Sequence, residues 1–404
     1  MNILQNICRI LSGLVFFLSG FLKALDPVGS AIKIQEYLGV FHLQFLEFLS
    51  LPAAIILCCT EFVIGIAFLK GMKMRLFSLI ALVFISFFTL LTLYSAIFNP
   101  VGDCGCFGEA IHLTNWETFF KNVILFGAVL LLFLRRKRFP PIALPLWERI
   151  YTLCYSLLIF IIAMCEVIYL PKVDFTPYSA GTDLLDLLEN PVEREYRTTF
   201  LYTKDGKTGE FTIDNLPDST WSYLSSETTL VSDGGKRGQI TDFVLRDSVG
   251  NYLTQELLSR KEPLFFVTVY NSGKIGKGAR HRIERMSRIL NERGAELYMI
   301  SGDGGELPLS LPTLYADYRT TLSLNRSNGG LVYIKRGLIV KKWSASDYPF
   351  KGIDRILSRD YEEIAANQII EAQIFLQGTL LVILLLVFIV RYVSKRIYWK
   401  GRRL

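Results

Sequence analysis

Asp103-Cys104-Gly105-Cys106-Phe107-Gly108 is a short polar loop between two long apolar runs, and reading those runs decides the fold. Five of the seven cysteines, Cys8, Cys58, Cys59, Cys154 and Cys165, lie inside apolar runs; only Cys104 and Cys106 share a loop. Gly105 between them lets the backbone turn tightly enough to bring two near-neighbour sulfurs together. A disulfide across one intervening residue is strained, and strained, exposed disulfides are the oxidising, labile ones. The pair is therefore a redox signature, of modest specificity by itself.

Working outward, a span needs about 20 apolar residues, and this places helices at roughly 3 to 25, 49 to 70, 74 to 98, 117 to 134, 148 to 170 and 374 to 390. With 51% hydrophobic residues, the 404-residue chain reads as a membrane protein rather than as two or three soluble domains. The first run has no basic start and no small-residue cleavage pattern, so it reads as a retained helix and not a secretion signal. Lys and Arg gather at Lys70, Lys73 and Arg75, at Arg135 to Arg138, and in the tail from Arg391 through Lys395, Arg396 and Lys400 to Arg402 and Arg403. Short cytoplasmic loops carry that excess. Both termini are expected in the cytoplasm of a bacterial inner membrane, with the cysteine loop and residues 171–370 outside, where disulfides persist. The net charge of +7 is then mostly a topology signal plus attraction to lipid headgroups, and nothing in it requires nucleic acid.

Several residues carry more than packing. Pro27 ends the first helix and Lys23 reads as an interfacial anchor that snorkels to the outer headgroups. Residues from about 28 to 48 are expected to lie along the surface or over the bundle. Cys58, Cys59 and Glu61 fall within one turn near mid-span. Glu61 is a functional candidate because an ionisable group at that depth is costly; a protonated glutamate bonded to a neighbouring helix is the alternative. Cys58 and Cys59 point about 100° apart on a helix and read as packing residues, as do Cys154 and Cys165. Thr114 or Asn115 caps the fourth span with Glu117 in its first turn. Lys121 enters the membrane beside the cysteines, where a cation favours thiolate over thiol, or simply snorkels. Pro140, Pro141 and Pro145 make a stiff turn, and Glu166 needs only a headgroup or water.

The ending Ser19-Gly20-Phe21-Leu22-Lys23-Ala24 with Asp26-Pro27, Glu61 followed by Gly65, and Cys104-Gly105-Cys106-Phe107-Gly108 with Asn122 behind it resemble the DoxX and MauE group of four-helix membrane proteins. The cysteine loop looks like MauE. The resemblance covers about the first 140 residues and implies thiol or sulfur redox chemistry beside quinones. For MauE it implies the maturation of disulfide-rich periplasmic methylamine dehydrogenase.

After Pro171 the composition turns polar. Residues 196 to 213 read as a hairpin with a turn at Asp205-Gly206-Lys207, and Ser232 to Gly238 as a loop or linker. A strand from Leu264 to Tyr270, a helical stretch holding Ile283, Met286, Ile289 and Leu290, a strand from Glu296 to Ile300 and a hairpin of Leu331–Lys335 and Leu338–Trp343 follow. That order resembles the thioredoxin fold, in its peroxiredoxin and TlpA-like branch. Its chemistry needs cysteine just after the first strand, where this chain has Asn271 to Gly278, and Gly329-Gly330 replaces the proline before the hairpin. The basic loop through Arg280 and Arg282 could attract an anionic partner, or be a solvated face.

The expected architecture is an α-helical integral membrane bundle, with a four-helix core at 1–140, a fifth span at 147–170, and a sixth span with a basic tail at 374–404. An extracytoplasmic β-rich segment at 171–238 and a degenerate α/β thioredoxin-like domain at 239–370 complete it. The expected function is thiol–disulfide exchange with extracytoplasmic client thiols through Cys104 and Cys106. Lys121 would favour the thiolate, Glu61 would handle a proton, and a quinone is the candidate acceptor. The rival is a non-enzymatic assembly scaffold whose loop disulfide is structural. Cys104, Cys106 and His112 are too few for a metal site, so none is assigned.

Overall fold

The computed structural model describes residues 3–102, 104–139, 143–189, 195–204, 207–212, 215–217, 220–232 and 243–400. Asp103, Pro140-Pro141, the turn at Asp205-Gly206, the stretch 233–242 and the basic residues Arg402 and Arg403 lie outside them. Six helical stretches are long and apolar enough to cross a membrane: Ile3–Leu25, Gln44–Lys70, Met74–Phe98, Asn115–Leu134, Pro145–Tyr169 and Tyr361–Ser394. The protein is a multi-pass membrane protein. It divides into two compact units, Met1–Phe175 with Ile369–Leu404, and Thr176–Gln368.

In the first unit the helices are α1 (Ile3–Leu25), α2 (Pro27–Val40), α3 (Ser50–Lys70), α4 (Met74–Phe98), α5 (Asn115–Leu134) and α6 (Pro145–Tyr169), with a short strand β1 (Cys106–Glu109) between α4 and α5. Pro27 does end α1, and it also starts α2: Asp26 caps that helix by accepting from the Gly29 N–H at 2.8 Å. The expected surface segment is thus a helix, followed by a short 3-10 turn at Gln44–Leu49. Thr114 and Glu117 form a reciprocal capping box, which starts α5 two residues before the expected 117. Pro145 occupies the first turn of α6 and starts it three residues before the expected 148.

Helices α1 and α3 touch backbone to backbone. A Cβ at Gly20 would overlap the Phe62 nitrogen, and one at Gly65 would overlap the Phe17 nitrogen. Small residues allow that approach where lipid supplies no hydrophobic drive between helices. Phe17, Phe21, Phe62, Ile159 and, from the C-terminal helix Tyr361–Lys400, Ile383 and Val387 fill the space beside this seam. At the far end of α3 the Arg9 guanidinium donates to the Leu69 carbonyl at 2.8 Å and to that of Phe68. Arg391 donates to Leu69 at 2.6 Å, so two cations cap the last carbonyls. Cys58 packs inside as expected, but Cys154 and Cys165 are exposed on α6 rather than packed. Their face of the helix is the one turned away from the bundle. Glu166 is buried and accepts from the Lys172 N–H at 2.7 Å, so the chain itself satisfies it.

In the second unit, β2 (Glu195–Lys204), β3 (Lys207–Thr212) and β4 (Ser222–Ser232) form an antiparallel sheet in the order β3-β2-β4. The expected hairpin is β2-β3, and β4 adds a strand that the sequence reading did not foresee. A five-stranded sheet follows, β7-β6-β5-β8-β9, from β5 (Leu264–Val269), β6 (Glu296–Ser301), β7 (Thr313–Tyr315), β8 (Gly330–Lys335) and β9 (Leu338–Trp343). Strand β5 runs parallel to β6 and antiparallel to β8. Every residue of β5 is buried, because its alternate side chains enter two cores. Phe265, Val267 and Val269 meet Ile283, Met286 and Leu290 on one face, and Leu264 and Phe266 meet Phe243 and Leu324 on the other. The succession of strand, helix Lys277–Asn291, strand and hairpin is the one expected from the sequence, and a further helix, Tyr318–Leu324, stands before the hairpin. Arg280 and Arg282 stand on that first helix, not on a loop, and donate to the carbonyls of Ile275 and Ala345.

Candidate functional site

The cysteine loop is drawn shut by its own backbone. Gly105 and Gly108 take positive φ of 62° and 63°, and the Gly108 N–H bonds the Gly105 carbonyl at 3.0 Å. A side chain at 105 would also strike the Lys33 stem, so glycine is required twice over. The loop's two ends are tied by Asn115, whose amide donates to Asn99 Oδ1 at 2.8 Å and to the Val101 carbonyl at 2.9 Å. The two sulfurs lie 3.5 Å apart in hydrogen-bond contact, Cys104 buried and Cys106 half-buried.

Beneath Cys106 lies a buried polar cluster. Lys23 Nζ donates to Glu61 Oε1 at 2.7 Å and to Oε2 at 2.8 Å, and both side chains are almost fully enclosed, at 4% and 6% exposure. Ser19 Oγ sits 2.8 Å from Glu61 Oε2 and 2.6 Å from the Cys106 carbonyl, and Lys23 also reaches it at 3.3 Å. One hydroxyl proton therefore faces two acceptors. Lys121 Nζ lies over the Phe107 ring at 4.6 Å, which holds its charge at the loop. Ser19, Lys23, Glu61, Cys106, Lys121 and Asn122 share a cavity of about 30 Å³ walled by Phe16, Phe84 and Phe88, with room for about one water.

These groups separate the two cysteines. The hydrogen bond from Cys104, then Lys121, then Lys23 hold the Cys106 thiol down to about 6, against burial and Glu61. Cys104 is pushed up by its bond to Cys106 and by burial, and stays a thiol. Burial raises the Tyr37 phenol, which bonds Ser95 Oγ at 3.0 Å and lies against Cys104. The arrangement thus favours a thiolate at Cys106 and a thiol at Cys104.

The four residues singled out from sequence, Cys104, Cys106, Lys121 and Glu61, all meet at this end of the bundle. The reading of Lys23 as a snorkelling anchor is overturned, since α3 approaches so closely that the ammonium turns inward onto Glu61. Ser19 and Tyr37 were also missed as site residues. The signal for Lys23 was present: α1 and α3 each set an ionisable residue beside a glycine on the same face, Gly20 before Lys23 and Gly65 after Glu61. Among the described residues, no three His, Cys, Asp or Glu side chains are placed to hold one metal ion.

Residues 1–135 match the family model described as Methylamine utilisation protein MauE, and residues 196–233 match one described as a domain of unknown function. Over 135 residues the chain is 31% identical to Protein TlpB of Flavobacterium psychrophilum, a match that covers 32% of this chain and 36% of that protein. The chain thus spans little more than a third of the length of that relative. No solved structure matches the chain. The first 135 residues are a MauE-family domain, and the cysteine loop with all its buried charged neighbours lies inside it.

Proposed function

We propose that this protein is a membrane thiol–disulfide exchange protein whose working couple is Cys104 and Cys106. The observation that carries this reading is the pair itself: two sulfurs 3.5 Å apart, one held down as a thiolate near two lysines and the other kept as a thiol. In the oxidised state a client thiolate attacks Cys106, forming a mixed disulfide and expelling Cys104, which takes a proton. A second client thiol then displaces Cys106 as a thiolate, a good leaving group because its own acidity is high. The client leaves with a disulfide, having given up two electrons and two protons. A membrane quinone is the proposed acceptor of both, becoming hydroquinone as the Cys104–Cys106 disulfide reforms. The cavity has room for about one water, so the quinone would meet the pair at the outer edge of the loop. Glu61, which lines the same cavity as Cys106, is proposed to receive or supply a proton.

The second unit, which contains no cysteine, is proposed to hold the client. Its loop after β5 is already committed, since Asp303 accepts from Ser272 at 2.7 and 2.8 Å and Asn328 accepts from the Tyr270 and Asn271 N–H groups. We place the loop and this unit outside a bacterial inner membrane, with both termini in the cytoplasm, from the distribution of Lys and Arg. In the Cys104→Ser protein, Cys106 lacks its resolving partner, so a mixed disulfide with an envelope protein is expected on a non-reducing gel; Cys106→Ser should trap none. If neither single variant changes the oxidation state of any envelope protein, the reading fails and the scaffold function takes its place.

A further inference from the structure

We propose that Lys23 and Glu61 are opposed positioning residues for Cys106, the ammonium drawing it toward thiolate and the carboxylate pressing it toward thiol. The inference rests on the reading of Cys106 as the exchanging sulfur and extends it to two residues that do not touch the client.

The geometry leaves few other candidates. Around Cys106, α1 contributes the Lys23 cation, α3 the Glu61 carboxylate and α5 the Lys121 cation, and the loop itself contributes the Cys104 thiol. Helix α2 places Tyr37 against Cys104 and Lys33, paired with Glu36 at 3.4 Å, against Gly105. Glu109 lies against Gly29, and α4 presents only Phe84, Ile85 and Phe88. With Cys106 ionised, Lys23, Lys121, Glu61 and Cys106 sum to zero charge around one small cavity. In such surroundings unit charges act far more strongly than in water. Ser19 fixes the distances, since its hydroxyl ties the Cys106 backbone to the same carboxylate that holds Lys23.

Oxidation breaks that balance. The S–S bond forms, the Cys104 proton leaves, two electrons pass to the quinone, and the four-charge set becomes one positive. Lys23 then keeps Glu61 but loses the thiolate, so the pair's stability and the sulfur's redox state depend on each other. Removing Lys23 should disfavour the thiolate and removing Glu61 should favour it, and both shifts should cancel when the two are removed together.

The test is the pH midpoint for alkylation of Cys106 in the full-length protein in micelles, with Cys8, Cys58, Cys59, Cys154 and Cys165 changed to Ala or Ser. Iodoacetamide serves as the probe. Lys23→Gln should raise the midpoint by about one pH unit, tenfold in the acid constant, and Glu61→Gln should lower it by a similar amount. The double variant Lys23→Gln/Glu61→Gln should return close to the parent, and Lys23→Arg, which keeps the cation, should match it. Single variants that both move the midpoint the same way, or not at all, overturn the proposal. So does a Lys23→Arg shift as large as that of Lys23→Gln, which would assign the effect to packing. Because no client takes part, opposed shifts in a protein that traps no mixed disulfide would sink the exchange reading and leave this one standing.

Discussion

Ser19 has one proton for two acceptors, and Lys23 also donates to one of them, Glu61 Oε2, at 2.8 Å. Ser19→Ala takes this donor from the Cys106 carbonyl while Lys23 still serves both Glu61 oxygens, at a cost of about 1–3 kcal/mol, which denaturant titration in micelles would read as a lowered midpoint. The acidity of Cys106 makes a second prediction. Above about pH 6 the reduced pair is a thiolate and a thiol, so reduction takes up one proton; below it, two. The potential should therefore fall by about 30 mV per pH unit above pH 6 and by about 59 mV below it. A single slope of about 59 mV from pH 5 to 8 would mean that Cys106 is an ordinary thiol. The ionised form also controls rate, so alkylation should be steady above pH 7 and decline as pH drops through 6. Sequence displayed the ionisable residues of this site but not which of them pair. The partner of Glu61 depends on how closely two helices approach, and no one-dimensional spacing contains that distance.

At the level of elements, the site exists because Gly20 and Gly65 let α1 and α3 meet backbone to backbone. Gly65→Ala inserts a methyl where Phe17 already sits, and overpacking of this kind costs about 1–3 kcal/mol. We expect lower thermal stability in micelles together with slower Cys106 alkylation, as Lys23 is drawn off Glu61 and the loop. Lower stability with unchanged alkylation would separate the seam from the site. The helices themselves were legible. Length and apolarity gave all six spans, Thr114 and Glu117 announced the start of α5, and buried β-branched and aromatic runs gave β5, β6, β8 and β9. The third strand of the small sheet was not legible, because the Ser and Thr of 222–232 lack an apolar alternation. The full reach of the last helix was hidden by its polar first turns, Tyr361 to Gln373, which read as the end of a soluble domain.

For the molecule as a whole, all seven cysteines belong to the membrane unit, and Thr176–Gln368 has none. In the proposed exchange, thiol chemistry therefore falls to the membrane unit and client binding to the second. Topology is open to a direct check. An impermeant maleimide should label a cysteine placed at Lys277 in intact spheroplasts and one placed at Arg138 only after lysis; the reverse pattern would invert the orientation and put the loop in a reducing compartment. The central claim, that Cys104 and Cys106 are a working couple and not a staple, is tested most directly by their reduction potential in native membranes, read by thiol trapping across a series of redox buffers. A working couple should show a midpoint well above the roughly −300 mV below which structural disulfides lie. A midpoint below that value would make the bond structural and the protein a membrane-anchored scaffold.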